Sequence, residues 1–263
     1  MKLGVNIDHI AVLREARGVN SPNLIEALPY VVNGGAEQIT IHLREDRRHI
    51  QDRDVKDLIM HSSLPINLEC SIDEKIIDIV CALKPFRATL VPEKREELTT
   101  EGGLKVSLDN EKLKQAIKRL QKKEIEVSLF IEPDMATVEA SSELKVEWVE
   151  FHTGKYANIY AMLFSNLAHS HHNIKELHIS RKKLKEMLEI ELEELKKAAF
   201  FAKDLGLQVA AGHGLNYHNV KAVAAIKEIE EFNIGQSIIA KSVFVGLEEA
   251  IREMKILLEH KNS

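Results

Sequence analysis

Only two cysteines stand in this 263-residue chain, Cys70 and Cys81, and they show no CxxC spacing. Each falls in an apolar stretch, so both are expected as reduced core thiols rather than as a disulfide framework. No excess of basic charge is present either. The net charge of −5 argues against a nucleic-acid binder, which usually carries a basic face. No run approaches the ~18 apolar residues of a membrane span, and the opening MKLGVNIDHI is too short and polar for a signal peptide. The cytoplasm is therefore the expected compartment. A GxGxxG turn is also missing, which weighs against an open dinucleotide-binding sheet.

What is present is apolar material in a regular order. Hydrophobic residues make up 44% of the chain and charged residues 29%, enough to build a core for one large α/β domain or two small ones. Eight short apolar runs have strand character: Leu3–Asn6, Gln38–His42, Ile66–Glu69, Ala88–Val91, Val127–Ile131, Trp148–His152, Gln208–Ala211 and Phe232–Ile234. Most are followed by residues at helical spacing. Ser21-Pro22 offers an N-cap and an N1 proline, with Gly34-Gly35 as the stop. Asp73–Leu83, Asn110–Lys122 and Asp134–Leu144 show the same period. The clearest helix runs from about Lys185 to Leu205, with Leu188, Leu192, Leu195, Ala199 and Ala202 on one stripe and Gly206 ending it. A last amphipathic helix covers Leu247–Leu258. Eight β-then-α units predict a single (β/α)8 barrel domain over 1–263. Lys155–Lys183 is long for a barrel connection and reads as an inserted segment.

Side chains alternate along a strand, and this sorts the polar residues. Ile39 and Ile41 face outward, leaving Thr40 and His42 inside. Asn67 and Glu69 point in from the third strand, Glu150 and His152 from the sixth. Ionisable residues thus gather at the C-terminal strand ends: Asp8, His9, His42, Arg44, Glu69, Glu93, Glu132, Glu150, His152 and His213. Barrel active sites lie on that face, and a buried charge without a purpose is costly. Below the site, Thr40, Asn67 and Glu150 predict a polar interior holding ordered water, where aliphatics are the rule.

Two glycine turns suggest phosphate. Ala211-Gly212-His213-Gly214-Leu215 follows the seventh strand, and Asn233-Ile234-Gly235-Gln236-Ser237-Ile238 opens a short helix after the eighth. Loops in those two places form the recurring phosphate site of this fold, through backbone N–H groups. The run His42–Asp54 is mostly a self-neutralising charge cluster, but Arg44 and His49 follow a strand end and could bind a second anion. Glu93–Gly103 has the hydroxyls and glycines of a lid.

The segments GVNIDHIAVLREARG, HLREDRRHIQDRD, NLE, LVPEKREELTTEGGL, VSLFI, HTG, AGHGLNYHNVKAVAAI and NIG resemble those of the pyridoxine 5'-phosphate synthase family of vitamin B6 biosynthesis. The resemblance spans nearly the whole chain. It implies a barrel enzyme joining 1-deoxy-D-xylulose 5-phosphate to 3-amino-2-oxopropyl phosphate, with no metal or other cofactor. It implies His42 and Glu69 as general bases and His213 as proton donor. Asn6 and Gly214 would hold the aminoketone phosphate, and Gly235 and Gln236 are further substrate-binding positions. Asp8, His9, Arg17, Arg44, His49 and Thr99 would hold the deoxyxylulose phosphate. The partners implied are these phosphorylated small molecules and further copies of the chain, as an octamer or smaller homo-oligomer. Gln236 stands where the family usually has histidine, and a backbone role for that position makes the change nearly silent.

The implied reaction fits the residue types. The substrate brings its own amine, so no strand-end lysine is needed, and repeated proton transfers suit histidine and a carboxylate of raised basicity. Two alternatives remain at this stage. One is a metal-dependent sugar-phosphate epimerase or aldolase with His9, His42, Glu69 and His213 as ligands. The other is a phosphate-ligand sensor without turnover. His169, His171 and His172 in the inserted segment lack the companion residues of a zinc site.

Overall fold

The computed structural model describes residues 1–94 and 102–259. Eight parallel strands, β1 (Lys2–Asn6), β2 (Gln38–His42), β3 (Ile66–Cys70), β4 (Arg87–Leu90), β5 (Glu126–Ile131), β6 (Trp148–His152), β7 (Gln208–Gly212) and β8 (Glu231–Ile234), pair in sequence order. β8 closes on β1. The expected (β/α)8 barrel is therefore the fold, and every strand bound lies within one residue of that expected. The outward set Leu3, Val5, Ile39, Ile41, Leu68, Val149 and Phe151 is fully buried beneath the helices.

The helices are α1 (Asp8–Glu15), α2 (Leu24–Asn33), α3 (Asp52–His61), α4 (Glu74–Leu83), α5 (Glu111–Gln121), α6 (Met135–Glu143), α7 (Gly154–Phe164), α8 (Arg181–Asp204), α9 (Val220–Ala224), α10 (Gln236–Val245) and α11 (Leu247–Glu259). Asp73, Asn110 and Asp134 cap α4, α5 and α6 by accepting backbone N–H groups of the first turn. One expected cap is wrong. Ser21-Pro22 lies outside α2, because Asn23 takes the cap position: its side chain accepts the Ile25 N–H and its carbonyl the Glu26 N–H.

Between β6 and β7 the chain forms α7, two 3₁₀ turns (Asn166–His169 and Lys175–Leu177) and the long α8. Residues of this stretch build a satellite core of their own, in which Ile159, Met162, Leu163 and Leu184 gather Leu167, Ile174 and Leu177. His171 and His172 are exposed on it.

The barrel interior is polar, as the alternation predicted. At its floor Arg87, 2% exposed, donates to Glu231 across 2.7 Å. Gln38 donates to the same Glu231 oxygen at 2.9 Å. Above them Asn233 accepts from Thr40 at 3.0 Å and donates to Glu150 at 2.8 Å. Gly4 makes room for this column, since a Cβ there would fall 2.1 Å from Asn233 Oδ1. Thr89 donates to Asn67 Oδ1 at 2.8 Å. The expected ordered water would bond to Asn67 Nδ2 and Ser128 Oγ, which have no protein partner among the described residues.

Candidate active site

A cavity of about 610 Å³ opens at the C-terminal mouth of the barrel, lined among others by Asn6, His42, Glu69, Glu150, His213 and Gly235. Its two sides are built differently.

On one side β2 and β3 run in register, so that His42 and Glu69 are neighbours. The His42 Nδ1 lies 3.8 Å from Glu69 Oε2, whereas its Nε2 makes a 2.9 Å hydrogen bond to Glu93 Oε1. Glu93 is itself held, because its second oxygen accepts the Glu45 N–H at 2.9 Å. Asp8 Oδ1 accepts the His42 N–H at 2.9 Å. Asn6 in turn fixes Asp8, accepting its N–H and donating to its carboxylate. The cluster sorts its acids by environment. Burial pushes Glu69 well above the usual carboxylate range, and the neighbouring Glu150 and Asp8 charges add to it. Burial also raises Glu150 to about 7 and Asp8 to about 6, against the opposing hydrogen bonds from Asn233 and from the His42 N–H. Glu93 is buried too, but its hydrogen bonds from His42 and the Glu45 N–H outweigh that and hold it below its ordinary value.

On the other side the chain leaves β7 through His213, a non-glycine residue at φ 72°, and Gly214 at φ 80°. Left-handed backbone of this kind is uncommon for a histidine. Desolvation, reinforced by the nearby His152, lowers His213 to about 4. Its ring opens onto the cavity. Gly212 is required by a close approach instead: a Cβ there would lie 2.2 Å from Glu150 Oε1.

The turn after β8 completes the cradle. A Cβ on Gly235 would sit 2.8 Å from Asn6 Cβ, so glycine lets this backbone approach β1. Gln236 then starts α10 with its side chain exposed. Ser237 donates to the Leu215 carbonyl at 2.9 Å and ties the two glycine turns together. Backbone N–H groups at this helix start, beside Gly214, suit a phosphate.

The other expected site residues divide into three groups. His9 and Arg44 line the cavity. His9 is lowered by burial, its Nδ1 without a partner among the described residues, and Arg44 is paired with Asp46 at 3.1 Å. Asp8 and His49 stand behind the wall. The His49 ring lies 6.3 Å from that of His42, and its Nδ1 accepts the Ile50 N–H, which puts the ring proton on Nε2. Arg17 is exposed in the turn after α1 and is not among the residues that line the cavity, and Thr99 falls outside the described residues. Among the described residues no three or more His, Cys, Asp or Glu are grouped to hold a metal ion.

Two residues of weight were not assigned to the site from sequence. Glu93 orients His42, and Glu150 links the cavity floor to the interior column. Both stood among the strand-end ionisable residues, but nothing in the sequence pairs Glu93 with a histidine 51 positions earlier.

The fold resembles solved barrels at low identity. A phosphoribosyl anthranilate isomerase from Thermus thermophilus matches with a TM-score of 0.56 and 10% identity, covering 98% of each chain. A thiamine phosphate pyrophosphorylase from Pyrococcus furiosus gives 0.56 and 13%, over 98% of this chain and 95% of that one. Sequence relatives are far nearer. The pyridoxine 5'-phosphate synthase of Sulfurovum sp. is 65% identical over 98% of this chain and all of its own length. That of Aliarcobacter butzleri is 62% identical over 99% of this chain and all of its own. The family model of the pyridoxal phosphate biosynthesis protein PdxJ matches residues 3–260, and the chain belongs to that family.

Proposed function

We propose that this chain catalyses the reaction its relatives are named for, condensing 1-deoxy-D-xylulose 5-phosphate with 3-amino-2-oxopropyl phosphate to pyridoxine 5'-phosphate, inorganic phosphate and water. The observation that carries the reading is one cavity with acid–base groups on opposite sides, His42 and Glu69 facing His213, and two glycine turns at its rim. Asn6, Gly214 and the Gly235-Gln236 turn hold the aminoketone phosphate. His9 and Arg44 meet the deoxyxylulose phosphate, with Asp8 and His49 behind them; Arg17 and Thr99 complete the expected set.

The electrostatics fit repeated proton transfer. The raised Glu69 carboxylate takes protons readily. His42, held by Glu93 at Nε2, presents Nδ1 toward Glu69 and the cavity. Lowered to about 4 by desolvation, His213 is neutral at pH 7. A phosphate dianion beside it favours the charged imidazolium, which readies a proton for the leaving hydroxyl as substrate binds. Each positioned acid or base is worth about 10²–10⁴-fold in rate.

The chain also presents apolar residues to solvent on α10, with Phe244 88% and Val243 69% exposed, which supports a homo-oligomer. No helix among the described residues is long and apolar enough to cross a membrane, and the cytoplasm remains the compartment we propose. Incubating the purified chain with the two phosphates and following pyridoxine 5'-phosphate by its absorbance tests the reaction. Well-folded protein that yields none overturns it.

A further inference from the structure

The geometry points to the turn His152-Thr153-Gly154, backed by Glu132, as the device that positions His213 for proton transfer. This rests on the reading of His213 as an acid–base group.

The need for such a device is visible around the ring. His213 borders the main cavity on one side and a second space of about 270 Å³ on the other, shared with His152, Gly154 and Asn158. A ring with room on both sides, on a left-handed backbone, requires something to hold it. Three consecutive residues at the end of β6 do so, each in a different way.

Thr153, 2% exposed, holds the backbone. Its hydroxyl lies 2.6 Å from the His213 carbonyl and 2.9 Å from the Gly212 carbonyl, and its N–H donates to Gly212 at 2.9 Å. His152, 7% exposed, holds the ring. The two imidazoles meet edge to face, with centroids 4.8 Å apart at 60°, and Phe130 closes the corner at 5.1 Å from His152 and 6.3 Å from His213. Glu132 accepts from His152 Nδ1 at 3.0 Å, which puts a proton there and leaves Nε2 turned toward Gly154. Gly154 provides the space: a Cβ would fall 2.5 Å from His152 Nε2 and 3.3 Å from His213 Cδ2. The same Glu132 oxygen accepts the Gly103 N–H at 2.8 Å, so Gly103 is tied to this pair.

Among the described residues the charged groups around His213 are few. His152 on β6 and Glu132 after β5 are the ones that act on it, in opposite directions. Glu150 lies beneath Gly212, and Lys155 on α7 is occupied by Glu191 at 2.6 Å. Two imidazoles in edge contact resist carrying two protons, so replacing the His152 imidazole by a phenyl ring should ease protonation of His213. Neither Thr153 nor His152 is assigned to substrate, and both are positioning residues.

The test compares Thr153→Val, Thr153→Ser, His152→Phe and His213→Asn by steady-state kinetics, with an NMR titration of the His213 ring. Thr153→Val and His152→Phe should lower kcat about 10–100-fold with KM for both substrates within about threefold, as expected of misplacement near 1 Å. Thr153→Ser should restore most of the rate. His152→Phe should move the His213 midpoint upward. If His213→Asn keeps the rate, the acid–base reading of His213 is itself wrong. If His213→Asn is inactive while Thr153→Val retains kcat within twofold, or if Thr153→Ser is as impaired as Thr153→Val, the positioning role is overturned and the reaction assignment stands. The Thr153 pair decides this even where His152→Phe fails to fold.

Discussion

Replacing Arg87 by methionine tests whether the polar floor of the barrel is a coupled unit. Arg87 Nη1 lies 2.7 Å from Glu231 Oε1, and the two side chains are 2% and 1% exposed. Its guanidinium also stacks 3.7 Å from the Trp148 ring centroid. The second partner, Glu126, is 3.4 Å away and 34% exposed, so that pair adds little. Methionine preserves the stem and removes the charge, leaving Glu231 with amide donors from Gln38 at 2.9 Å and Asn233 at 3.4 Å. Breaking a buried pair on one side costs about 3–5 kcal/mol. Loss of the cation–π contact adds about 1–2 kcal/mol, and a sulfur–ring contact with Trp148 returns about 1 kcal/mol. The net expectation is a loss of about 3–6 kcal/mol. The double variant Arg87→Met/Glu231→Leu removes both charges and should recover most of it. Urea unfolding at fixed protein concentration measures all three proteins on one scale. A single variant within about 1 kcal/mol of the parent, or a double variant no better than the single, would refute the reasoning.

Other expectations follow from the mouth of the barrel. His42→Asn and Glu69→Gln should each lose about 10²–10⁴-fold in turnover while circular dichroism stays unchanged; a near-normal rate removes that residue from the mechanism. Gly235→Ala drives a methyl to within 2.8 Å of Asn6 Cβ, and the displaced N–H should raise KM for the aminoketone phosphate about 10–100-fold, with little change for the other substrate. Glu150→Gln probes a buried acid whose value rises from 4.5 to about 7. Because the folded chain binds this proton more tightly, the stabilisation is complete below pH about 4.5 and is lost as pH rises through about 7. The amide needs no proton, so the variant should match the parent near pH 4 and exceed it by about 3 kcal/mol at pH 8.5. Equal melting curves at both pH values would contradict this.

The strands were legible because a parallel barrel strand buries one face against helices and turns the other inward. Ile39 and Ile41 alternating with Thr40 and His42 shows this in five residues. The helices beginning at Asp73, Asn110 and Asp134 were legible from their apolar spacing, and in the structure each of these residues caps its helix by accepting an N–H within three residues. The same local logic misplaced the start of α2, where Ser21, Pro22 and Asn23 are all acceptable starters and the one that reaches Ile25 N–H prevails. The charge run over 42–54 was read correctly as largely self-neutralising, with Arg47 on Asp52 and Arg48 on Asp46. Its link to the rest of the molecule was invisible: Asp54 binds Arg14, 40 residues earlier, through two hydrogen bonds of 2.7 Å.

By itself the sequence determined the period of the strands, the inward direction of His42, Glu69 and Glu150, and the two glycine turns, because these follow from neighbours a few positions apart. The tertiary structure decided which of those groups meet. His42 takes Glu93 as its hydrogen-bond partner and stays 3.8 Å from Glu69. Glu150 is raised by the burial that barrel closure imposes. The carbonyl of His213 rests on a threonine 60 residues earlier in the chain. Such pairings depend on strand register and on how far each connection folds back over the mouth, and side-chain chemistry read along one dimension carries no record of either.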